Sequence, residues 1–380
     1  MRKILIVHSS ADFYGSDRSL LEFVEHKKAN LKIVVALPES GPLVNLLEQA
    51  GAEVYIGACG KVKRSMFSFI GFVNIILELV RAFAFLSQLH SRFKFDVIYS
   101  NTVAVLGGAI FAKIHRISHV WHVREIVAAS PIVRSIFGIL VDGFSSMVIC
   151  NSFHTRKSIE RGVASSRYEV IWNGFARGSV KGLDRTSERR RLGVQDDSLL
   201  FVMVGRINAW KGQRLLVEAF VRARERSGLP LRLSIVGSAI HDQKIYEEEL
   251  AKCIRENACA SFVEVFPERP DINGVWLASD VVVVPSLNPE PFGRVAVEAM
   301  SFSKPVIVAA HGGLVEIVKN NETGIYFEPG DVEALVSAII ELASDAPRRE
   351  RLGVQGYQRW VDDFSIEAYV DRVTDVLSRV

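Results

Sequence analysis

The chain has 380 residues and a formal net charge of only +3. This length predicts two or three domains with ample core, and the composition is that of a soluble globular enzyme. Four scattered cysteines without a CxxC pair argue against a disulfide framework or a zinc site, and they favour a reducing compartment.

The charge is divided unevenly along the chain. Residues 1–172 carry a balance of +7 and the remainder a balance of −4. A basic first half suits an anionic surface, such as a membrane with acidic lipids. Lysines and arginines do not cluster with aromatic residues, so no nucleic-acid partner is expected. No signal-peptide pattern precedes the first strand, and we expect a cytoplasmic protein.

Strands and helices alternate through the first half. We predict strands at Lys3–His8, Lys32–Leu37, Glu53–Ile56, Phe95–Tyr99, Val120–His122 and Met147–Asn151. Helices are predicted at Leu20–Val24 and Gly41–Gln49, with others filling the gaps. Such alternation predicts a parallel sheet wound in the Rossmann manner.

Two positions in this half are candidates for ligand contacts. Gly15 and Ser16 lie between a strand and a helix, where backbone N–H groups and the helix dipole favour a phosphate. A tight turn explains a single glycine there equally well, and no GxGxxG is present. His122 ends a strand, where its ring could bind a substrate hydroxyl, although a lone histidine is more often structural.

The segment Met66–Leu89 is strongly apolar and follows Lys61, Lys63 and Arg64. It is long enough to span a bilayer, but Asn74, Glu78 and Arg81 interrupt it on one helical face. The pattern favours a helix packed on the sheet and leaves open an interfacial membrane helix.

A second α/β alternation begins after a linker near Phe175. Its predicted strands are Leu199–Val204, Arg232–Val236, Phe262–Phe266, Val281–Val284, Pro305–Ala309 and Gly324–Phe327. Its predicted helices are Gln213–Arg224, Tyr246–Glu256, Val275–Ala278, Leu314–Val318 and Val332–Ala343, and a terminal amphipathic helix covers Ile366–Leu377. We therefore expect a second Rossmann-like domain.

Four strand ends in this second half carry residues suited to a ligand. Arg206 and Lys211 offer a planar fork and a compact charge for a diphosphate. Gly237 could line a base pocket, and Gly312 with Gly313 could present N–H groups to phosphate or sugar oxygens. Ligands of open α/β sheets bind beyond the carboxyl ends of the strands, so these features converge on one site.

The stretch from Asp280 to Met300 supplies the remaining polar groups. A buried strand is followed by a proline-rich loop containing Glu290, and then by a helix containing Glu298. Both carboxylates are placed where a polar ligand would be held. The alternative is that Glu298 satisfies a helix end and that Glu290 is solvated.

These motifs resemble those of the retaining glycosyltransferases of family 4, which belong to the glycosyl transferases group 1. The resemblance rests on Gly205-Arg206 with Lys211-Gly212, on Glu290-Pro-Phe-Gly-Arg-Val-Ala-Val-Glu298, on Lys304-Pro305 with Gly312-Gly313, and on Thr323-Gly324 with Pro329-Gly330-Asp331. It is dense from about Val170 to Phe364. In the first half it is looser, because Gly15-Ser16 stands where the family has paired glycines.

The resemblance implies a GT-B fold, in which two Rossmann-like domains face each other across a cleft. We expect an acceptor-side domain at 1–174, a donor-side domain at 175–362, and a C-terminal helix at 363–380 that crosses back to the first domain. It also implies retaining transfer of a sugar from a nucleotide diphosphate sugar to a glycan or lipid-linked acceptor.

The resemblance further assigns roles to individual residues. The equivalents of Arg206 and Lys211 hold the diphosphate, and the equivalent of Glu298 holds the ribose hydroxyls. Glu290 contacts the donor sugar, with the backbone N–H groups of Phe292 and Gly293 nearby, and His122 lies beside the anomeric centre. Gly15, Ser16, Gly237, Gly312 and Gly313 complete the expected donor site.

No Asp-x-Asp is present, so we expect a metal-independent enzyme without a cofactor. The basic first domain and the apolar Met66–Leu89 segment favour a lipid-linked or polysaccharide acceptor at the inner face of a membrane. The resemblance implies a bacterial enzyme, which would serve surface polysaccharide synthesis. The alternatives are a non-catalytic nucleotide-sugar-binding module, a nucleotide-sugar epimerase, a phosphorylase, and a nicotinamide oxidoreductase, the last disfavoured by the missing GxGxxG.

Overall fold

The computed structural model describes residues 1–13, 15–62, 69–126, 131–160, 167–194, 197–240, 243–269 and 271–380. The chain divides into two compact units. Unit 1 comprises Met1–Ala176 and Phe364–Val380, and unit 2 comprises Arg177–Asp363.

Unit 1 is built on a seven-stranded parallel sheet. Its strands are β1 (Arg2–Val7), β2 (Leu31–Leu37), β3 (Glu53–Ile56), β4 (Val97–Ser100), β5 (Ser118–Val123), β6 (Met147–Cys150) and β7 (Tyr168–Val170). They lie in the order β3-β2-β1-β4-β5-β6-β7. The order reverses between β1 and β4, so polar groups that follow these strands meet at the topological switch point of the sheet.

Helices cover both faces of this sheet. They are α1 (Gly15–Glu25), α2 (Pro42–Gln49), α3 (Phe69–Phe93), α4 (Gly107–His115), α5 (Pro131–Phe144) and α6 (Phe153–Ile159). Ile4 and Ile6 of β1 pack with residues of α1 and α2, whereas Leu5 and Val7 pack with residues of α3 and α4. The alternation of side chains along a strand therefore gives the sheet two apolar faces.

Unit 2 repeats this construction with six parallel strands. They are β8 (Leu199–Val204), β9 (Leu231–Val236), β10 (Val263–Phe266), β11 (Val281–Val284), β12 (Val306–Ala309) and β13 (Gly324–Phe327), in the order β10-β9-β8-β11-β12-β13. The switch point lies between β8 and β11. The Val281–Val284 run is wholly buried, as expected for a central parallel strand.

The helices of unit 2 complete its two layers. They are α7 (Arg185–Arg191), α8 (Gln213–Ser227), α9 (Ile245–Glu256), α10 (Asn273–Ala278), α11 (Arg294–Ser301), α12 (Leu314–Ile317), α13 (Val332–Ser344) and α14 (Ala346–Arg359). A π-helical turn at Trp360–Phe364 then leads to α15 (Ile366–Arg379).

Helix α15 returns to unit 1, as the resemblance implied. Tyr369, Val373 and Val376 are buried in the same cluster as Ile4 and Leu20. The ring of Tyr369 meets the ring of Phe23 edge-on at 6.2 Å. The predicted two-domain α/β fold class with a returning C-terminal helix is thus confirmed.

Some element bounds differ from the sequence-based expectations. Helix α1 begins at Gly15 rather than at Leu20, because Asp17 in its first turn is held by a buried bond to His8. Helices α7 and α14 were not anticipated, since their arginine-rich sequences lack a continuous apolar stripe. The predicted apolar segment Met66–Leu89 corresponds to α3, which begins at Phe69. Residues 66–68 and the preceding Lys63 and Arg64 lie outside the described residues.

Replacing Tyr369 tests how far α15 stabilises unit 1. We expect Tyr369→Ala to lower the free energy of unfolding by about 3–5 kcal/mol, because it empties a buried aromatic site. Tyr369→Phe keeps the packing and loses only the hydroxyl, so about 1–3 kcal/mol is expected. Urea unfolding followed by circular dichroism measures both, and equal losses would contradict the packing role.

Candidate functional site

The centre of the site in unit 2 is an ion pair between two strand-end loops. Lys211 lies in the loop after β8, and Glu290 lies in the loop after β11. Lys211 Nζ lies 2.8 Å from Glu290 Oε1. Because β8 and β11 flank the switch point, the pair joins the two halves of the sheet where a ligand is expected.

Glu290 is a buried carboxylate with several partners. Its Oε1 also accepts a hydrogen bond from the Ser286 hydroxyl, and His311 lies nearby, donating from Nε2 to the Ser286 carbonyl at 2.7 Å. Burial acts to raise the pKa of Glu290, but the charge and hydrogen bond of Lys211 outweigh it, so the pKa is held below its ordinary value. Glu290 is therefore a carboxylate at neutral pH.

Backbone contacts hold the loops close together. A Cβ at Gly212 would lie 2.0 Å from the Pro285 carbonyl oxygen, and Gly212 has a φ of +84°. The Leu287 N–H donates to the Trp210 carbonyl at 2.6 Å. Only glycine at 212 allows the β8 loop to approach the β11 loop so closely.

The two predicted glycines after β12 also serve backbone packing. A Cβ at Gly312 would lie 2.6 Å from the Glu290 nitrogen, and a Cβ at Gly313 would lie 2.4 Å from the Phe292 oxygen. The Gly313 N–H donates to the Glu290 carbonyl at 2.7 Å. These glycines hold the Glu290 loop in place, and the helix that follows them is a single turn.

Glu298 has a different partner from Glu290. It lies in α11, almost fully buried, and pairs with Arg294 Nε at 2.6 Å. Phe292 is buried just before this helix, and Gly293 caps it with a φ of +107°. The two predicted carboxylates thus lie on different elements, Glu290 in a loop and Glu298 in the helix that follows it. Glu290 pairs with Lys211 and Glu298 pairs with Arg294.

A pocket of about 380 Å³ opens at the carboxyl end of β9. Gly237, Ser238, Phe266 and Pro267 lie among its lining residues, together with apolar side chains of α9. The backbone at Gly205, which precedes Arg206, runs close to this pocket. A Cβ at Gly237 would lie 2.0 Å from the Gly205 carbonyl oxygen. The pocket has the apolar walls and the size that suit a flat aromatic ring.

The other three predicted site residues lie in unit 1. His122 is fully buried at the end of β5, and its Nδ1 shares a hydrogen bond with the Tyr99 hydroxyl. Its Nε2 has no hydrogen-bond partner within the part of the chain that the structure describes. Burial, and then the charge of Arg124, lower the pKa of His122 well below its ordinary value, so the ring is neutral at pH 7.

Gly15 and Ser16 form the first positions of α1, which a buried polar network holds in place. Asp17 Oδ1 accepts from His8 Nε2 at 2.7 Å and from Ser10 Oγ at 2.9 Å. Apart from its chain neighbours, no atom of the described residues lies within 4 Å of a Cβ built on Gly15. The packing of the described residues therefore does not require glycine at this position.

Sequence reasoning missed most of this network. Arg124 donates from Nε to Asn101 at 2.9 Å, from Nη1 to Asn173 at 2.6 Å, and from Nη2 to Tyr369 at 2.9 Å. Asn101 in turn contacts His8 Nδ1 at 3.1 Å. Asn101 and Arg124 each directly follow the last residue of a strand, and that position could have singled them out.

Within the described ranges, no group of three or more His, Cys, Asp or Glu side chains is placed to hold a metal ion.

Comparison with known proteins finds a family model that matches part of the chain. Residues 184–359 match the family model of glycosyl transferases group 1. The chain is 34% identical over 238 residues to a D-inositol 3-phosphate glycosyltransferase of Rhodococcus erythropolis, covering 57% of this chain and 52% of that protein. The chain thus spans about half the length of the curated relatives it matches.

Solved structures match over the whole length. Alr3699/HepE of Anabaena, solved in complex with UDP and glucose and also with UDP-glucose, is 26% identical over 100% of both chains, with TM-scores of 0.84 and 0.85. A glycosyltransferase of Rickettsia africae has a TM-score of 0.85 at 17% identity, covering 99% of this chain and 97% of that chain, and it shows the fold alone.

Removing Lys211 should leave the buried carboxylate of Glu290 without its cation and so destabilise the fold. We expect Lys211→Met to lower the free energy of unfolding at pH 7 by about 3–5 kcal/mol. In the wild type the pair stabilises the fold above the ordinary Glu290 pKa of 4.5 and loses this effect as the pH falls below it. In the variant, burial is no longer opposed by the charge and hydrogen bond of Lys211. The difference in unfolding free energy between the variant and the wild type should therefore shrink as the pH is lowered.

Denaturant unfolding between pH 4 and pH 8 measures this dependence. The double variant Lys211→Met/Glu290→Gln should recover most of the lost unfolding free energy, because it also removes the unpaired charge of Glu290. Lys319→Met is the matched control, since Lys319 forms an exposed pair with Glu322 at 3.8 Å. A deficit independent of pH would contradict the interpretation.

Proposed function

We propose that the whole chain is a retaining, metal-independent glycosyltransferase, because residues 184–359 match the family model of glycosyl transferases group 1. It transfers a sugar from a nucleotide diphosphate sugar to a glycan or lipid-linked acceptor. Its place is the cytoplasmic face of a bacterial membrane, in surface polysaccharide synthesis. The observation that carries the proposal is the Lys211–Glu290 pair at the switch point of unit 2.

The donor is proposed to be a UDP-sugar. Alr3699/HepE, which matches this chain over its full length, was solved with UDP-glucose, and this likeness supports the choice of base. The base would occupy the pocket beside Gly237, where the walls are apolar. Glu298 would accept hydrogen bonds from the ribose hydroxyls, and in the free protein it pairs with Arg294.

Arg206 and Lys211 are proposed to hold the diphosphate. An ammonium group has three donors, so Lys211 can bind a phosphate oxygen while it keeps its bond to Glu290. The ring of Trp210 lies 4.5 Å from Lys211 Nζ and restricts the side chain further. Glu290 thereby positions Lys211 and remains able to accept a hydrogen bond from a sugar hydroxyl.

Charge stabilisation is the main chemical task of this site. As the bond between the anomeric carbon and the diphosphate oxygen breaks, negative charge develops on the phosphate. Fixed cations and N–H dipoles stabilise that charge most effectively in a site that excludes water. Retention follows if the acceptor hydroxyl attacks from the face that the phosphate leaves, and if the departing phosphate takes the hydroxyl proton.

In unit 1 we assign His122 the role of a neutral hydrogen-bond donor to the transferred sugar. If the Tyr99 hydroxyl donates to Nδ1, the ring proton resides on Nε2, which is the buried atom that lacks a partner among the described residues. A buried N–H without a partner is costly, and a ligand hydroxyl or carbonyl would satisfy it.

Replacement of His122 tests this role. We expect His122→Ala to lower kcat about 10²-fold or more, with little change in the affinity for UDP-sugar. The wild-type rate should not fall as the pH passes from 8 to 6, because the lowered pKa keeps the ring neutral there. A rate that follows a group titrating near 6.5 would contradict a neutral donor.

A donor screen tests the proposed reaction as a whole. UDP-, GDP-, ADP- and dTDP-linked sugars are compared by thermal shift and by slow hydrolysis in excess EDTA. We expect a UDP-sugar to raise the melting temperature, since saturation at 100 times Kd stabilises by about 2.7 kcal/mol. Proton NMR of the transferred product should show the anomeric configuration of the donor.

Variants connect the screen to the site. Lys211→Ala and Glu290→Ala should abolish hydrolysis and transfer, while Lys319→Ala should behave as the wild type. Turnover that requires a divalent metal would contradict metal independence. Conversion of the donor sugar without an acceptor would indicate an epimerase, and binding without any turnover would indicate a non-catalytic module.

A further inference from the structure

Helix α3 is much longer than its packing requires. Leu79 lies level with the start of α4, because a Cβ on Gly60 would touch both Gly107 and the Leu79 side chain. Helix α4 starts at the carboxyl edge of the sheet, just after β4. The ten helical residues before Leu79 therefore extend about 15 Å along the helix axis beyond that level.

The projecting part of α3 exposes apolar side chains. Val73, Ile76, Leu77 and Val80 lie at i, i+3, i+4 and i+7, which places them on one face. Between 47 and 61% of each residue is exposed. The later half of the same helix instead buries Ala82, Leu86, Leu89 and Phe93 in the core of unit 1. The exposed face is thus not needed to cover the sheet.

Helix α5 adds to this surface. Helix α4 packs against both α3 and α5, so all three lie on one side of the sheet. Ile136 and Ile139, in the first half of α5, are each more than half exposed. We call these six residues the apolar α3–α5 surface: Val73, Ile76, Leu77, Val80, Ile136 and Ile139.

The charges around the apolar α3–α5 surface have one dominant sign. Near this surface, helix α3 carries Arg81 and a single acidic residue, Glu78, and Lys61 belongs to the segment that precedes the helix. Arg134 is the sole charged residue between 126 and 141. Arg81 and Arg134 are exposed beside the apolar residues. An exposed apolar face with basic neighbours is the pattern of a protein that lies on an acidic bilayer.

We propose that the apolar α3–α5 surface docks on an anionic lipid bilayer and inserts its apolar side chains at the level of the headgroups. The inference rests on the proposed function, because it gives the acceptor side of the enzyme access to lipid-linked substrates. Both apolar segments belong to the helices that follow β3 and β5 at the carboxyl edge of the unit 1 sheet. Docking there brings the membrane to the edge that carries Gly15, Ser16 and His122.

Vesicle sedimentation with the full-length protein tests the proposal. We expect wild type to bind vesicles that contain phosphatidylglycerol more tightly than vesicles of phosphatidylcholine alone, and to lose binding as salt rises. Leu77→Glu/Val80→Glu should weaken binding about tenfold or more, because charged groups cannot enter the apolar layer. Val354→Glu, at an equally exposed valine of α14 in unit 2, is the matched control and should bind as wild type.

Two further measurements separate the outcomes. Donor-induced thermal shifts in solution should be equal in wild type and in Leu77→Glu/Val80→Glu. A shift lost only in the variant would indicate a folding defect, and a shift absent in wild type would indicate that the donor proposal fails. Sedimentation velocity asks whether a second copy covers the surface. Absence of lipid binding in wild type, equal binding by all variants, or a dimer that Leu77→Glu/Val80→Glu dissolves would each overturn the proposal.

Discussion

The contact on which unit 2 depends is the ion pair between Lys211 and Glu290. It joins the loops that follow β8 and β11, the neighbouring strands at which the strand order of the sheet reverses. An unpaired charge is costly at this depth, and Lys211 holds the pKa of Glu290 below its ordinary value. The glycines at 212 and 312 allow the backbones around the pair to approach closely enough for it to form.

Unit 1 holds a buried arginine at the carboxyl edge of its own sheet. Arg124 is satisfied by Asn101, Asn173 and Tyr369, which come from two strand ends and from the last helix of the chain. The C-terminal helix is therefore part of the polar edge of unit 1 as well as of its core. This network continues to His8 and Asp17, and it fixes the position at which α1 begins.

Helix α3 combines two environments in one element. Its second half is an ordinary layer on the sheet, whereas its first half presents apolar side chains outward. By length and composition, the part from Val73 to Phe93 would suffice to cross a membrane, but Ala82, Leu86 and Leu89 are buried in protein. A helix anchored at one end and apolar at the other is suited to lie at an interface, where protein, headgroups and lipid meet.

The sequence by itself determined the fold class and the chemical character of each strand end, since hydrophobic periodicity and the Gly, Pro, Arg and Glu motifs are local signals. Only the tertiary structure decided which charges meet. Lys211 and Glu290 are 79 residues apart and Arg124 and Tyr369 are 245 apart, and nothing local pairs them. Their pairing follows from strand order, and strand order is set by packing of the whole sheet.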